Sequence, residues 1–288
     1  MHPLDIVQAL LYGVVYGSIY ALAASGFALT LGVMQIVNFA HGHFIVVAGF
    51  LSLLLFRLWA VDPFVSIAAT VPLAFVLGAA IYSLVLKHVV MESHHTQIIV
   101  TLGIGLIIEN LLLLAFGGDL RLASTWYTSR TLRLSGLALS VPKIVAAVLA
   151  VATVALLWAM LRYTKLGKAI RASTDNWQAA TLMGIDVRRV RLYAFGLSAV
   201  TAAVAGSSLP TFYLLSPFSG IEFLLKAFAI VVIGGVEDVR GVIVGGLLLG
   251  LLEAAAGMLF SAALGAAFTF AVVLVFLAWR PSGLLGHA

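Results

Sequence analysis

Four hydrogen-bonding side chains, Gln35, Asn38, His41 and His43, fall within nine residues of VMQIVNFAHGHFIV (33–46), with Gly42 between the two histidines. Amides and imidazoles at this spacing can hold water, a polar solute or the carbonyls of a neighbouring helix. A polar side chain in an apolar medium is costly unless it meets such a partner or a wet cavity. Glycine among polar residues is also where an apolar helix can break. Broken backbone survives in hydrocarbon only when protein buries it or it lines a cavity. Two readings stay open. Asn38, His41, Gly42 and His43 form a discontinuous helix beside a translocation path, or Gln35 to His43 is the ordinary turn between two spans.

A second interruption lies in AIVVIGGVEDVRGVIVGG (229–246), where Gly234, Gly235, Glu237, Asp238, Arg240 and Gly241 break an apolar run. Paired glycine-interrupted segments in the two halves of a transporter point to a substrate path. The alternative is a tight turn whose charges are solvated. The flanking GVIVGGLLLG keeps small residues on one face, as close helix packing requires.

Other polar groups within apolar segments need partners of their own. Glu109 in LIIENLL and Glu253 in GLLEAAAG are either ion-coupling groups or helix-to-helix hydrogen bonders. Glu222 and Lys226 stand four apart and can pair on one helix face. His94 and His95 are adjacent and point about 100° apart on a helix, a poor metal pair that fits a connecting loop.

The elements that position these groups follow from composition. Of 288 residues, 63% are hydrophobic and 9% charged, against about 25% charged in a soluble protein. Long Leu-, Ala- and Val-rich runs recur, each near the ~20 residues that cross a bilayer core as a helix. They lack the period-two alternation of a membrane β-barrel. The expected fold is all-α, a polytopic helical bundle of about 8 spans plus broken or re-entrant helices. It forms a single domain over 1–288.

Spans are expected near 6–32, 41–60, 64–86, 97–116, 141–162, 190–213, 223–235, 241–260 and 262–279. The 223–235 block is short for a full crossing and could instead re-enter. With no Lys or Arg in Met1–Asp5, the first segment is expected to be a retained span rather than a signal peptide. With no cysteine, neither disulfides nor thiolate metal sites can form.

Two polar connections remain. Gly117–Gly136 carries three basic residues, Arg121, Arg130 and Arg133, whereas Arg162–Arg191 carries seven. The basic excess places the second in the cytoplasm and, counting back five spans, the N-terminus outside. A net charge of +5 therefore reports orientation, not nucleic-acid binding. Within the second loop, TDNWQAATLMGI is expected to form a short helix capped by Thr174 or Asp175 and ended by Gly184. Such a helix lies on lipid or docks a partner. No phosphate-binding G-x-x-x-x-G-K-[ST], H-E-x-x-H or G-x-S-x-G occurs, so a catalytic role is not expected.

Four strings in order, GSIYALAASGFALTLGVMQIVNFAHGHF, ASTDNWQAATLMGIDVRRVR, KAFAIVVIGGVEDVRGVIVGGLLLGLLEA and RPSGLLG, run from about Gly17 to Gly286. Together they resemble the LivH-type permease subunits of branched-chain amino acid ABC importers. Gln178-Ala179-Ala180 followed by Gly184 is similar to the E-A-A-x-x-x-G coupling motif of ABC permeases, with Gln in place of Glu and no following proline.

The resemblance implies a non-catalytic, multi-pass subunit of a bacterial inner membrane, without cofactor or metal. Its partners would be a homologous second permease, two cytoplasmic ATPase subunits, a periplasmic substrate-binding protein and the lipid bilayer, but no nucleic acid. Asn38, His41, Gly42, Gly234 and Gly235 would border the path. Trp177, Gln178, Ala179, Ala180, Leu182 and Gly184, in a loop over about 163–190, would meet the ATPases. Substrates would be branched-chain or other hydrophobic amino acids, with urea, amides or aromatic acids as alternatives in the same family. The rival classes are a self-sufficient secondary transporter or channel coupled through Glu109 or Glu253, and a membrane scaffold.

Overall fold

The computed structural model describes residues 3–134, 136–235, 239–260, 262–279 and 283–284. The chain is a helical bundle, as its composition requires, because a helix satisfies its own backbone groups where no water can. The helices are α1 (Pro3–Met34), α2 (His41–Trp59), α3 (Pro63–Ile81), α4 (Lys87–Val89), α5 (His94–Phe116), α6 (Val141–Tyr163), α7 (Lys165–Asp175), α8 (Trp177–Leu182), α9 (Val187–Ser208), α10 (Gly220–Gly234), α11 (Val239–Leu259) and α12 (Ala262–Trp279). A π-helical turn, Tyr82–Leu86, joins α3 to α4. Eight of the described helical stretches are long and apolar enough to cross a membrane, so this is a multi-pass membrane protein.

Local signals set several of these boundaries. The Asp62 carboxylate accepts from the Phe64 amide at 2.9 Å, with Pro63 in the first turn of α3. Ser93 caps α5, so His94 and His95 open a helix and do not lie in a loop. The block expected near 223–235 starts earlier: a 3-10 turn at Pro217–Ser219 runs into α10, giving 18 residues from Pro217 to Gly234. That is enough for a crossing. Between α5 and α6 the polar connection folds into an antiparallel hairpin, β1 (Thr131–Leu134) with β2 (Leu137–Ser140), Thr131 opposite Ser140.

α1, α2, α9, α10 and α11 form the centre. Gly13 and Gly17 on α1 meet Gly246, Gly250 and Leu251 on α11, where a Cβ on Gly17 would lie 2.8 Å from the Gly246 oxygen. Small residues four apart on both helices let the backbones touch, the contact that replaces hydrophobic drive inside lipid.

Two faces can be told apart. Gln8 and Tyr12 on α1 both donate to the Ala138 carbonyl of β2, at 2.6 and 3.0 Å. The Tyr127 hydroxyl donates to Asp62 at 2.6 Å, and Arg121 pairs with Leu215. The chain's start, the α2–α3 turn, the hairpin connection and the turn after α9 therefore share one face. On the other, Arg191 reaches Met91 and Trp177. This second, basic face gathers the α4–α5 turn, α7, α8 and the start of α9.

Candidate functional site

Residues 35–40 connect the two spans α1 and α2, and this connection is buried in the bundle at Ile36, Asn38 and Ala40. α1 stops at Met34, and Gln35 takes the left-handed φ of 55°, a conformation that non-glycine residues hold only under local constraint. The Asn38 side-chain oxygen accepts from the Ala40 amide at 3.1 Å. α2 then starts deep in the protein: His41 is fully buried, and its Nε2–H donates to the Ala23 carbonyl in the middle of α1 at 2.7 Å. That bond leaves Nδ1 as the acceptor, 3.4 Å from the Ser198 hydroxyl of α9. His41 is thus polar because it faces a neighbouring backbone. Asn38 is equally buried and its Nδ2 has no partner. Gly42 sits against α10, where a Cβ would collide with the Gly220 carbonyl.

The acids find bases. His43 Nε2 stands 3.2 Å from Glu109 Oε2 on α5, its ring edged by Gly105 and Gly220. Lys226 on α10 meets three acceptors with its three N–H bonds: Tyr20 OH at 2.9 Å, Glu253 Oε1 at 3.0 Å and Glu222 Oε1 at 3.1 Å. Tyr213 completes the cluster by donating to Glu222 at 2.7 Å. Burial first, and then that bond to a carboxylate, push its phenol up to about 12. The Glu222–Lys226 pair was legible from its spacing. The His43–Glu109 and Lys226–Glu253–Tyr20 contacts were not, because they join residues 27 to 206 apart in sequence.

At the second break, α10 ends at Gly234, and Gly235 follows with φ 96°. Gly234 packs on the Gly241 backbone of α11, and Leu284 donates to the Ile233 carbonyl beside it at 2.8 Å. Glu237 and Asp238, the centre of the expected charged turn, lie outside the described residues.

On the basic face the loop carries two helices where one was expected. Thr174 and Asp175 end α7, and the cap of α8 is Asn176, whose side chain accepts from the Ala179 amide at 2.8 Å. The correction is local: Asn176 adopts extended backbone between the two helices, which frees its side chain to cap the second. α8 closes with Gly184 at φ 83°, its amide donating to Thr181 and the Ile185 amide to Ala180. This is the glycine-ended reversal expected there. Ala180 is buried, Trp177 is half-buried beneath the Arg191 guanidinium, and Gln178 and Ala179 are exposed. Leu182 and Met183 project at 89% and 83% exposure.

The model of the family described as the branched-chain amino acid transport system permease component matches residues 9–277. The LivH high-affinity branched-chain amino acid permease protein of Escherichia coli K12 is 29% identical over 99% of this chain and 96% of its own. A probable LivH permease of Methanocaldococcus jannaschii is 30% identical over 88% of this chain and 82% of its own. BraD of Pseudomonas aeruginosa is 26% identical over 98% and 96%. No solved structure gives a significant match. With a family match spanning nearly every helix described above, this chain belongs to the permease components of branched-chain amino acid transport systems.

Proposed function

We propose that this chain forms half of the translocation path of an ABC importer in a bacterial inner membrane, carrying branched-chain or other hydrophobic amino acids. It pairs with a second, homologous permease. Two cytoplasmic ATPases supply the hydrolysis, and a periplasmic binding protein delivers the solute. The observation that carries the reading is α8. A six-residue helix, fixed by Asn176 at one end and Gly184 at the other, holds two large apolar side chains in the open on the basic face. Exposed apolar residues on a rigid surface element suit a docking partner.

The path borders the two helix breaks, at Asn38, His41 and Gly42 and at Gly234 and Gly235. They are the points where a closely packed bundle can change shape. ATPase closure would move α8, and α7 and α9 would pass that motion to α1 and α2. The permease itself performs no covalent chemistry.

The test is reconstitution. Proteoliposomes holding this chain with its second permease, ATPases and binding protein should take up leucine only when ATP is present. The chain alone should take up none. ATP-independent uptake by the purified chain would instead support a self-sufficient transporter and sink the ABC reading.

A further inference from the structure

On the basic face, between the exit of α3, the start of α9 and α8, lies a cleft of about 570 Å³. Lys87, His88, Arg188 and Arg191 line it with Tyr82 and Trp177. One acid, Asp186, also borders it, and its carboxylate is occupied: it pairs with Arg189 Nε at 2.9 Å and accepts from the Arg189 amide at 3.1 Å. Among the described residues, no carboxylate forms a salt bridge with Lys87, Arg188 or Arg191.

Arg191 is held in place with hydrogen-bonding capacity unused. Its guanidinium lies 5.6 Å from the Trp177 ring centre, and Nη1 reaches only the weak acceptor Met91 Sδ, at 4.0 Å. Its Nε is buried with no acceptor at all. An oriented guanidinium with an unsatisfied buried donor suits an anion with several oxygens.

Depth narrows the class of anion. Tyr82, Lys87 and His88 belong to the last turns of the span Pro63–Val89, and Arg188 and Arg191 to the first turns of the span Val187–Thr211. The cleft therefore sits where two spans leave hydrocarbon, at the level of lipid phosphates. Aromatic and basic side chains concentrate at that level, and basic pockets there hold anionic headgroups.

We propose that this cleft binds the phosphate of an anionic phospholipid headgroup, with Arg191 and Arg188 donating to it and Lys87 adding positive charge. A headgroup seated there lies against Trp177 and so ties the base of α8 to the bilayer. That consequence for coupling rests on the function proposed above. The binding itself does not.

The test uses the full-length chain, delipidated in detergent and followed by native mass spectrometry. It is titrated with phosphatidylglycerol or with phosphatidylcholine of the same acyl chains. One phosphatidylglycerol should be retained, about tenfold more tightly than phosphatidylcholine, and Arg188→Ala with Arg191→Ala should remove that preference. Arg130→Ala with Arg133→Ala, the same loss of charge on the opposite face, should leave it intact.

Size exclusion checks folding. If the Arg191 variant does not fold, Lys87→Ala with Arg188→Ala, which leaves Arg191 on its tryptophan, should still weaken phosphatidylglycerol several-fold. Equal binding of the two lipids, or unchanged preference in the folded cleft variants, overturns the proposal. So does inorganic phosphate that binds as tightly as the lipid and displaces it, which would mark a free-phosphate site. Cleft variants that keep the lipid but lose the ATPases would mark a dock for an acidic protein segment, and would also overturn it.

Discussion

Lys226 shows how one charge is kept inside an apolar bundle. The residue is 8% exposed, and its ammonium is saturated by Tyr20, Glu253 and Glu222, which tie α1, α10 and α11 together. Breaking a buried ion pair by removing one member costs about 3–5 kcal/mol, because the charge left behind is desolvated and alone. Glu253 and Glu222 are partly exposed here, so Lys226→Met should cost the low end, about 3 kcal/mol. Removing both carboxylates as well should restore much of that loss. Thermal unfolding in detergent reads both effects. A single variant as stable as the parent would mean that water, not protein, solvates the cluster. Asn38 makes a different prediction. It is buried with a free Nδ2, whereas Gln35, three residues earlier, is exposed. The chain has no cysteine, so Gln35→Cys should react with a small impermeant thiol reagent at all times. Asn38→Cys should react only while the assembled transporter turns over ATP. Inertness of Asn38→Cys during turnover would remove the break from the path.

At the scale of elements, α8 carries the main mechanical claim. Leu182 points into solvent, so Leu182→Asp should leave folding intact while removing an apolar contact. Paired with Trp177→Ala, it should detach the ATPases or uncouple their hydrolysis, a loss of about 2 kcal/mol or more at the docking interface. Gly184→Val forces a β-branched residue to φ 83°, strain of about 1–3 kcal/mol, and should act the same way. Copurification and uptake measure both, and normal assembly with normal transport would reduce the loop to a surface anchor. The elements themselves were largely legible. Continuous apolar runs place the spans, and Gly184 marks the end of α8. What escaped depended on tertiary context. The block expected at 223–235 extends back to Pro217 because a 3-10 turn, closed by a reciprocal Ser216–Ser219 cap, runs directly into α10. Thr174, Asp175 and Asn176 can all serve as caps, and the extended backbone at Asn176 decides among them. Whether His41 faced water or a carbonyl depended on Ala23, eighteen residues away on a helix whose path no local pattern reveals.

For the whole molecule, the contacts between loops sort the chain into two faces without reference to any membrane. The start of α1 is bound to β2, and β2 leads into α6, which ends at the basic loop. α10 then runs from the hairpin face toward the basic face, and α11 returns antiparallel to α1, its Gly246 and Gly250 against Gly17 and its Leu251 against Gly13. α12 reverses the direction again, and Leu284 rests on the exit of α10 at Ile233. The start of α1 and Leu284 thus lie on opposite faces, with α12 as a further traverse beside the eight longer apolar stretches. With seven basic residues between Arg162 and Arg191 against three between Gly117 and Gly136, the basic-excess rule predicts that the Arg162–Arg191 loop faces the cytoplasm. Two exposed leucines report this directly: Leu120 at 63% on the hairpin face and Leu182 at 89% on the basic face. In intact cells with a permeable outer layer, Leu120→Cys should label with an impermeant maleimide within minutes. Leu182→Cys should label only after the inner membrane is opened. Bound ATPases should then shield Leu182→Cys and leave Leu120→Cys untouched, joining orientation and docking in one measurement. Labelling of Leu182→Cys in sealed cells would invert the molecule and place α8 out of reach of any cytoplasmic ATPase.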